Sequence, residues 1–455
     1  MTHTNGPLFK THLSLICLMV LVIASPVSAG WKEKVLYSFQ GSSDGQTPAG
    51  GVVFDKAGNL YGATVDGGAD NCSPMAACGT VFQLQPPAKK GDAWTETVLY
   101  VFKGKVSNDG ENPDGGLVID AAGNLYGATA YGGTGDCVLL GVKGGCGTVY
   151  EMYPPVQKGD AWKETILYSF KGGEDGYVPQ GNLVFDSAGN LYGATLFGGG
   201  KGTTCDPFYQ YCGTVFELSP PKRKGGEWTE KVLHSFAGGT DGANPNGGLV
   251  LDGTGAIYGT TAAGGNNNCK TTASVGCGTA FQLMPSIKQS ESWTEKRLHV
   301  FTGGTDGGQP SAGLIFNSRG SLYGVAGGGN VSGGGVVFRL TANGRNRWKE
   351  TVLHWFSNDG PGPPLASLIF DSLGNLYGTT GPGSQYGTVF RLEPPARKGA
   401  AWTVEVLYAF PGVPNGRLPD ANIVFDQVGN LYSTTTQGGT GACTFGCGTV
   451  LKVSP

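Results

Sequence analysis

Carboxylates at a fixed spacing are the first feature of this chain that could do chemistry. Asp44, Asp109, Asp175, Asp241, Asp306 and Asp359 each open a D-G-x-x-P element, and Asn415 holds the seventh place. Pro48, Pro113, Pro179, Pro245, Pro310, Pro363 and Pro419 close these elements. Brought into a ring, such carboxylates could hold Ca²⁺ or a polar ligand. Calcium takes about six to eight oxygens, so one Asp per element would need help from backbone carbonyls. The same letters also write a turn: Asp caps it, Gly takes the awkward dihedral, and Pro starts the next strand.

Other catalytic side chains are scarce. Past residue 29 there are three histidines, His234, His299 and His354. All three stand where the other units carry Tyr37, Tyr100, Tyr168 and Tyr408. Equivalent places in different units do not converge on one metal or substrate, so these read as aromatic packing positions that accept His. Histidine is the commonest general base, and this reading argues against Ser-His-Asp or His-metal hydrolysis. The chain has no P-loop and no G-x-S-x-G elbow, and its Gly-rich run 327–335 opens no helix. No catalytic residue and no metal-ligand set is assigned.

Asymmetry between the units marks a second candidate. Units five and six have short loops (327–335 and 381–386) where their neighbours have longer ones, and the third unit's loop carries Phe208, Tyr209 and Tyr211. Trp355 is the one tryptophan outside the repeated place. A notch beside aromatic loops suits sugar binding; free drift of surface loops is the competing account. Basic tips at Lys89-Lys90, Lys158, Lys222-Arg223-Lys224 and Arg397-Lys398 read as solvated hairpins.

Cysteine use points to an oxidising compartment. Apart from Cys17, ten cysteines form five local pairs: Cys72/Cys78, Cys137/Cys146, Cys205/Cys212, Cys269/Cys277 and Cys443/Cys447. Units five and six lack both members, as expected for disulfides. Zinc would need four converging ligands, and each unit offers two. Residues 1–29 read as a cleaved secretory signal, with a short apolar run and Val27-Ser28-Ala29 at the cut. Residues 30–455 then form the mature chain, at a net −4, without the basic excess of a nucleic-acid binder. No second apolar stretch follows, so no part is expected to sit in a membrane.

These residues are positioned by seven repeats. Trp31, Trp94, Trp162, Trp228, Trp293, Trp348 and Trp402 each open a unit that reads W-x-E-x-V-L-[YH]-x-F, D-G-x-x-P, G-L-V-F-D, G-N-L-Y-G-x-T, G-T-V-F-x-L. The first unit predicts strands at 32–39, 51–55, 59–64 and 80–84, rich in Val, Leu, Tyr and Phe. Four short antiparallel strands repeated seven times predict an all-β, seven-bladed β-propeller forming one domain. Three strands remain at the C-terminus, so the N-terminal tryptophan strand is expected to complete the last blade. G-L-V-F-D is taken as innermost by analogy with other propellers. The D-G-x-x-P links and cysteine loops are then expected on one rim, with the D-x-x-G-N turns and P-P-x-x-K-G hairpins on the other.

The full unit, W-x-E-x-V-L-Y-x-F through C-G-T-V-F-x-L-x-P-P, resembles the "choice-of-anchor tandem repeat GloVer" family over residues 31–455. The resemblance implies an exported bacterial protein and no particular activity. It also implies a C-terminal sorting segment. This chain departs there, ending at Lys452-Val453-Ser454-Pro455 straight after a strand, so secreted or periplasmic residence is expected over surface anchoring. The expected function is non-catalytic binding of a polysaccharide or an envelope or extracellular protein, by a monomer. One alternative is a lyase- or lactonase-like enzyme using rim carboxylates, and another is a purely structural surface protein.

Overall fold

A computed structural model describes residues 30–455 except 69–77, 140–141, 158, 201–211, 224, 267–268, 270–275, 287–291, 329–333, 345–346, 358–359, 384 and 398. The expected signal at 1–29, together with Cys72, Cys205, Phe208, Tyr209, Tyr211 and Asp359, lies outside the described residues.

Seven four-stranded antiparallel sheets stand in a ring as the blades of a β-propeller. Blade 1 runs Val53–Phe54, Leu60–Thr64, Thr80–Gln85 and Thr95–Val101, from the axis outward. Blade 7 takes three strands from the C-terminus, and Lys32–Ser38 from the N-terminus pairs with Thr449–Ser454 as its outer strand. This is the expected one-plus-three closure.

The repeated letters account for the packing. In blade 1's D-x-x-G-N turn, Asp55 Oδ1 accepts the Ala57 and Asn59 N–H groups, while Oδ2 accepts Asn59 Nδ2 and the Tyr61 hydroxyl. Gly58 supplies the left-handed dihedral at φ 87° that this turn requires. The body of that tyrosine faces the next blade. Phe54 and Trp94 of blade 1 both pack on Tyr432 of blade 7, at 5.1 and 6.4 Å between ring centres. The same cross-blade pairing joins Trp402 and Phe370 to Tyr323. Edge-on aromatic contacts of this kind contribute roughly 0.5–1.5 kcal/mol each beyond area burial.

Inside each blade, the last residue of G-N-L-Y-G-x-T meets the threonine of C-G-T. Thr64 and Thr80 hydroxyl oxygens lie 2.8 Å apart, fully buried. The pair recurs at Thr129–Thr148, Thr195–Thr214, Thr261–Thr279, Thr380–Thr388 and Thr435–Thr449. Blade 5 puts Ala326 opposite Val336 instead.

Inner strands approach so closely that the second residue after the linker proline is Gly or Ala in every blade. A Cβ at Gly50 would overlap the backbone of Gly115 and Gly116, and one at Gly247 would overlap Ala312. In blade 6 the residue entering the inner strand is Pro364, one place later than the D-G-x-x-P spacing suggests. Its ring packs on Gly335, as Pro113 packs on Gly79.

Candidate functional site

The linkers between blades build the site. Each leaves the outer strand of one blade, turns, and enters the inner strand of the next. Its aspartate holds that turn. Asp44 accepts hydrogen bonds from the Tyr37 hydroxyl (2.9 Å) and from the Gln40 (2.8 Å) and Gly41 (3.2 Å) N–H groups. Asp109 does the same for Tyr100 and Lys103, and Asp175 for Tyr168 and Lys171. Asp241 caps Ala237 and Asp306 caps Thr302. These carboxylates are committed to their own turns, and none lines the axial cavity described below.

The histidines follow the tyrosine geometry. His234, His299 and His354 stand edge-on to Phe236, Phe301 and Phe356 at 4.7 Å, as Tyr37 stands to Phe39. His299 Nε2 also lies 3.1 Å from Asp306. His234 Nε2 is 3.4 Å from Asp241, within ion-pair reach but without hydrogen-bond alignment. Burial lowers the pKa of His354. Trp355 is half-buried on the outer strand of blade 5, opposite Val336, and packs on the core.

Disulfides brace the same rim. Cys137–Cys146, Cys269–Cys277 and Cys443–Cys447 are bonded, and Cys78 and Cys212 are each disulfide-bonded as well. The second cysteine of each blade offers its carbonyl to the next linker: Thr47 N–H donates to Cys447 (2.9 Å), Asn112 to Cys78 (2.9 Å) and Val178 to Cys146 (3.0 Å). Where blade 6 lacks cysteine, Tyr386 provides the carbonyl for Leu418. The residues that donate are held left-handed, at φ 58° for Thr47 and 57° for Val178 and Leu418. A β-branched residue rarely adopts that region, and strain of this kind gathers beside binding sites.

Beyond this strained residue each chain drops toward the axis. Seven segments, one per blade, surround a cavity of about 660 Å³. The first residue after each proline is its variable element: Ala49, Asp114, Gln180, Asn246, Ser311, Leu365 and Asp420. Gln180 Nε2 donates to Asp114 at 3.0 Å. Asn246 Oδ1 is buried with no partner among the described residues. Two places further on, Asn182 accepts the Gly116 N–H (2.9 Å), Asn422 that of Ser367 (3.0 Å), and Ser367 Oγ that of Gly313 (3.1 Å). Each of these side chains thus ties one inner strand to the one before it.

Electrostatically the cup is acidic. Among the described residues no Lys, Arg or His lines it. Burial raises the pKa of Asp114, against the hydrogen bond from Gln180, and neighbouring Asp66 adds to the rise. Part of Asp114 still faces the open cavity, so the cause is its depth within the cup. Burial also raises Asp420 and Asp66, opposed by hydrogen bonds from Thr436 and Thr47 respectively. Among the described residues no group of three His, Cys, Asp or Glu is placed to hold a metal ion. Carboxylates, amides and hydroxyls in this arrangement offer hydrogen bonds to a neutral or cationic polar ligand. Sequence reasoning missed this variable place because attention went to the invariant letters beside it.

A family model described as the Gloeobacter/Verrucomicrobia repeat matches residues 24–204, 137–286 and 202–451. The chain belongs to that family. The Gloeobacter/Verrucomicrobia repeat is thus the propeller unit described above. No curated protein matches the sequence. Among solved structures, a fungal alcohol oxidase of the AA5 family in complex with copper is 14% identical, with TM-score 0.50, covering 93% of this chain and 76% of its own. A Trichoderma reesei enzyme of carbohydrate-active family AA12 is 13% identical at TM-score 0.41, covering 95% and 97%. A Xanthomonas campestris gluconolactonase is 14% identical at TM-score 0.39, covering 84% and 94%. At these identities the alcohol oxidase shares the fold alone. Among the described residues no helix is long and apolar enough to cross a membrane.

Proposed function

We propose that this is an exported, non-catalytic recognition propeller that holds a polyhydroxylated ligand, such as the end of a polysaccharide chain, in its axial cup. One observation carries the reading. Asp114, Asp420, Gln180 and Asn246 face a shared cavity from four blades, with no cation lining it among the described residues. Carboxylates and amides pair with sugar hydroxyls as acceptors and donors. A buried, unpartnered Asn246 oxygen gains a partner when a ligand hydroxyl arrives.

Export is part of the proposal. Disulfides persist in oxidising compartments, and here they brace the rim that frames the cup. Residues 1–29 act as the cleaved leader, and residues 30–455 form one domain. A glycan and polysaccharide binding screen of protein starting at Gly30, with and without Ca²⁺ and with disulfides intact, tests the function. Saturable binding supports it. Silence across the screen turns the search to envelope proteins.

A second reading rests on Asp114 alone. Burial raises its pKa, as catalytic acids and bases require. Lactone or glycosidic-bond turnover abolished by Asp114→Asn would replace the binding reading with an enzymatic one.

A further inference from the structure

Six blade seams bring together an aromatic or His of one outer strand, the linker Asp or Asn, and the Glu of the next blade's W-x-E strand. Five seams carry both acids: Asp44 with Glu96, Asp109 with Glu164, Asp175 with Glu230, Asp241 with Glu295 and Asp306 with Glu350. At all five, Glu Oε1 is buried and has no hydrogen-bond partner.

Two seams differ. Between blades 6 and 7 the linker residue is Asn415, and there Glu33 is satisfied. Its Oε2 accepts from Asn415 Nδ2 and the Tyr408 hydroxyl, and its Oε1 accepts the Gly416 N–H at 3.1 Å. Between blades 5 and 6 the W-x-E place is filled by Val404, which stands opposite Leu392 as Glu96 stands opposite Leu84, so this seam carries no glutamate. The one described seam glutamate without a facing aspartate is thus answered by an amide.

We propose that the five Glu–Asp seams form a proton-operated clasp. One proton per seam bridges the two acids and draws adjacent blades together in acid, and its loss near neutrality leaves two carboxylates repelling across the seam.

Burial, then the facing aspartate, pushes Glu96, Glu164 and Glu230 up to about 7. Glu295 and Glu350 rise for the same first cause. The other charged or titratable groups facing these seams are Tyr37, Tyr100, Tyr150 and Tyr168, with Lys103 beside Glu164, Lys171 beside Glu230, His234 and Arg297 beside Glu295, and His299 beside Glu350. The cations moderate four of the seams, while among the described residues no cation moderates Glu96. A glutamate whose folded pKa lies above its unfolded value stabilises the fold fully below about 4.5 and loses that contribution as pH rises through about 7. His354, lowered by burial, works in the opposite sense, so the decisive comparison is between variants that all keep it.

The test is thermal unfolding of the disulfide-intact protein from pH 4.5 to 8.5, for the wild type and for E96Q/E164Q/E230Q. The wild-type Tm is expected to fall between pH 5 and 8. The triple variant should lose most of that slope and exceed the wild type at pH 8. A wild-type Tm that holds or rises over this range, or a triple variant with an unchanged slope, overturns the clasp. If the triple variant does not fold, Asn415→Asp decides. Creating a sixth acid pair against Glu33 must steepen the fall above pH 6, and an unaltered slope refutes the proposal.

Discussion

The Tyr408 hydroxyl donates to Glu33 Oε2 at 2.9 Å, joining residues 375 apart in sequence. Glu33 lies on the N-terminal strand that completes blade 7, and Tyr408 lies on the outer strand of blade 6. The contact therefore latches the ring where the two ends of the chain meet. Asn415 and the Gly416 N–H donate to the same carboxylate. Glu33→Ala is expected to remove all three bonds and cost about 2–3 kcal/mol, since hydrogen bonds to a charged acceptor exceed neutral ones. Chemical denaturation read against Glu405→Ala, which breaks an ion pair with Arg391 inside blade 6, checks this.

The buried threonine pairs allow a double-mutant test. Thr80→Val leaves the Thr64 hydroxyl without one of its partners and should destabilise by about 1–2 kcal/mol. Blade 5 already tolerates Ala326 against Val336 at the same register. Thr64→Ala with Thr80→Val should therefore cost less than the sum of the single changes, a coupling that urea melts would resolve.

Acid stability below pH 4 should depend on the D-x-x-G-N turns. Asp186, Asp252 and Asp426 have lowered pKa values: hydrogen bonds from Asn190 and its turn, from Thr254, and from Asn430 outweigh the burial that pushes each up. Their contribution is present above about 3.8 and is lost as pH falls through the folded values. Replacing Asp186 and Asp426 by Asn should lower Tm at pH 6 and flatten its acid-side fall between pH 4 and 2. A melting series across that window is the check.

Disulfide loss should act on the linkers. Cys443→Ser with Cys447→Ser opens a loop of sequence separation 4, for which chain entropy gives about 2 kcal/mol. Because the Cys447 carbonyl holds Thr47 at its strained dihedral, amide exchange at Thr47 should quicken more than at Leu418, which Tyr386 holds without a disulfide. Hydrogen exchange with mass or NMR readout measures both.

Much of the architecture was legible because one unit is written seven times. Periodicity gave blade number, strand order and closure, and Asp55, Tyr61 and Thr64 wrote their own turns and pairs. Other features had no signature. The outer strand carries a bulge in each blade, skipping Leu99 in the first, so simple alternation does not say which way Tyr100 faces. Pro363 and Pro364 both fit the local letters, and only contact with Gly335 separates them. The cup stayed hidden for the opposite reason. Asp114, Gln180, Asn246 and Asp420 occupy a place where the repeats disagree, so a consensus erases them. The five acid seams were equally hidden, since Glu96 and Asp44 look like two unrelated repeat positions until the blades are closed.

The most direct test of the binding account is a glycan array probed with wild-type protein, with Asp114→Ala/Asn246→Ala in the cup, and with Phe208→Ala/Tyr209→Ala in the third unit's loop. The account predicts saturable wild-type binding that the cup variant loses and the loop variant keeps, with both variants melting within a few degrees of wild type. Binding that survives the cup changes and vanishes with the loop aromatics would contradict it.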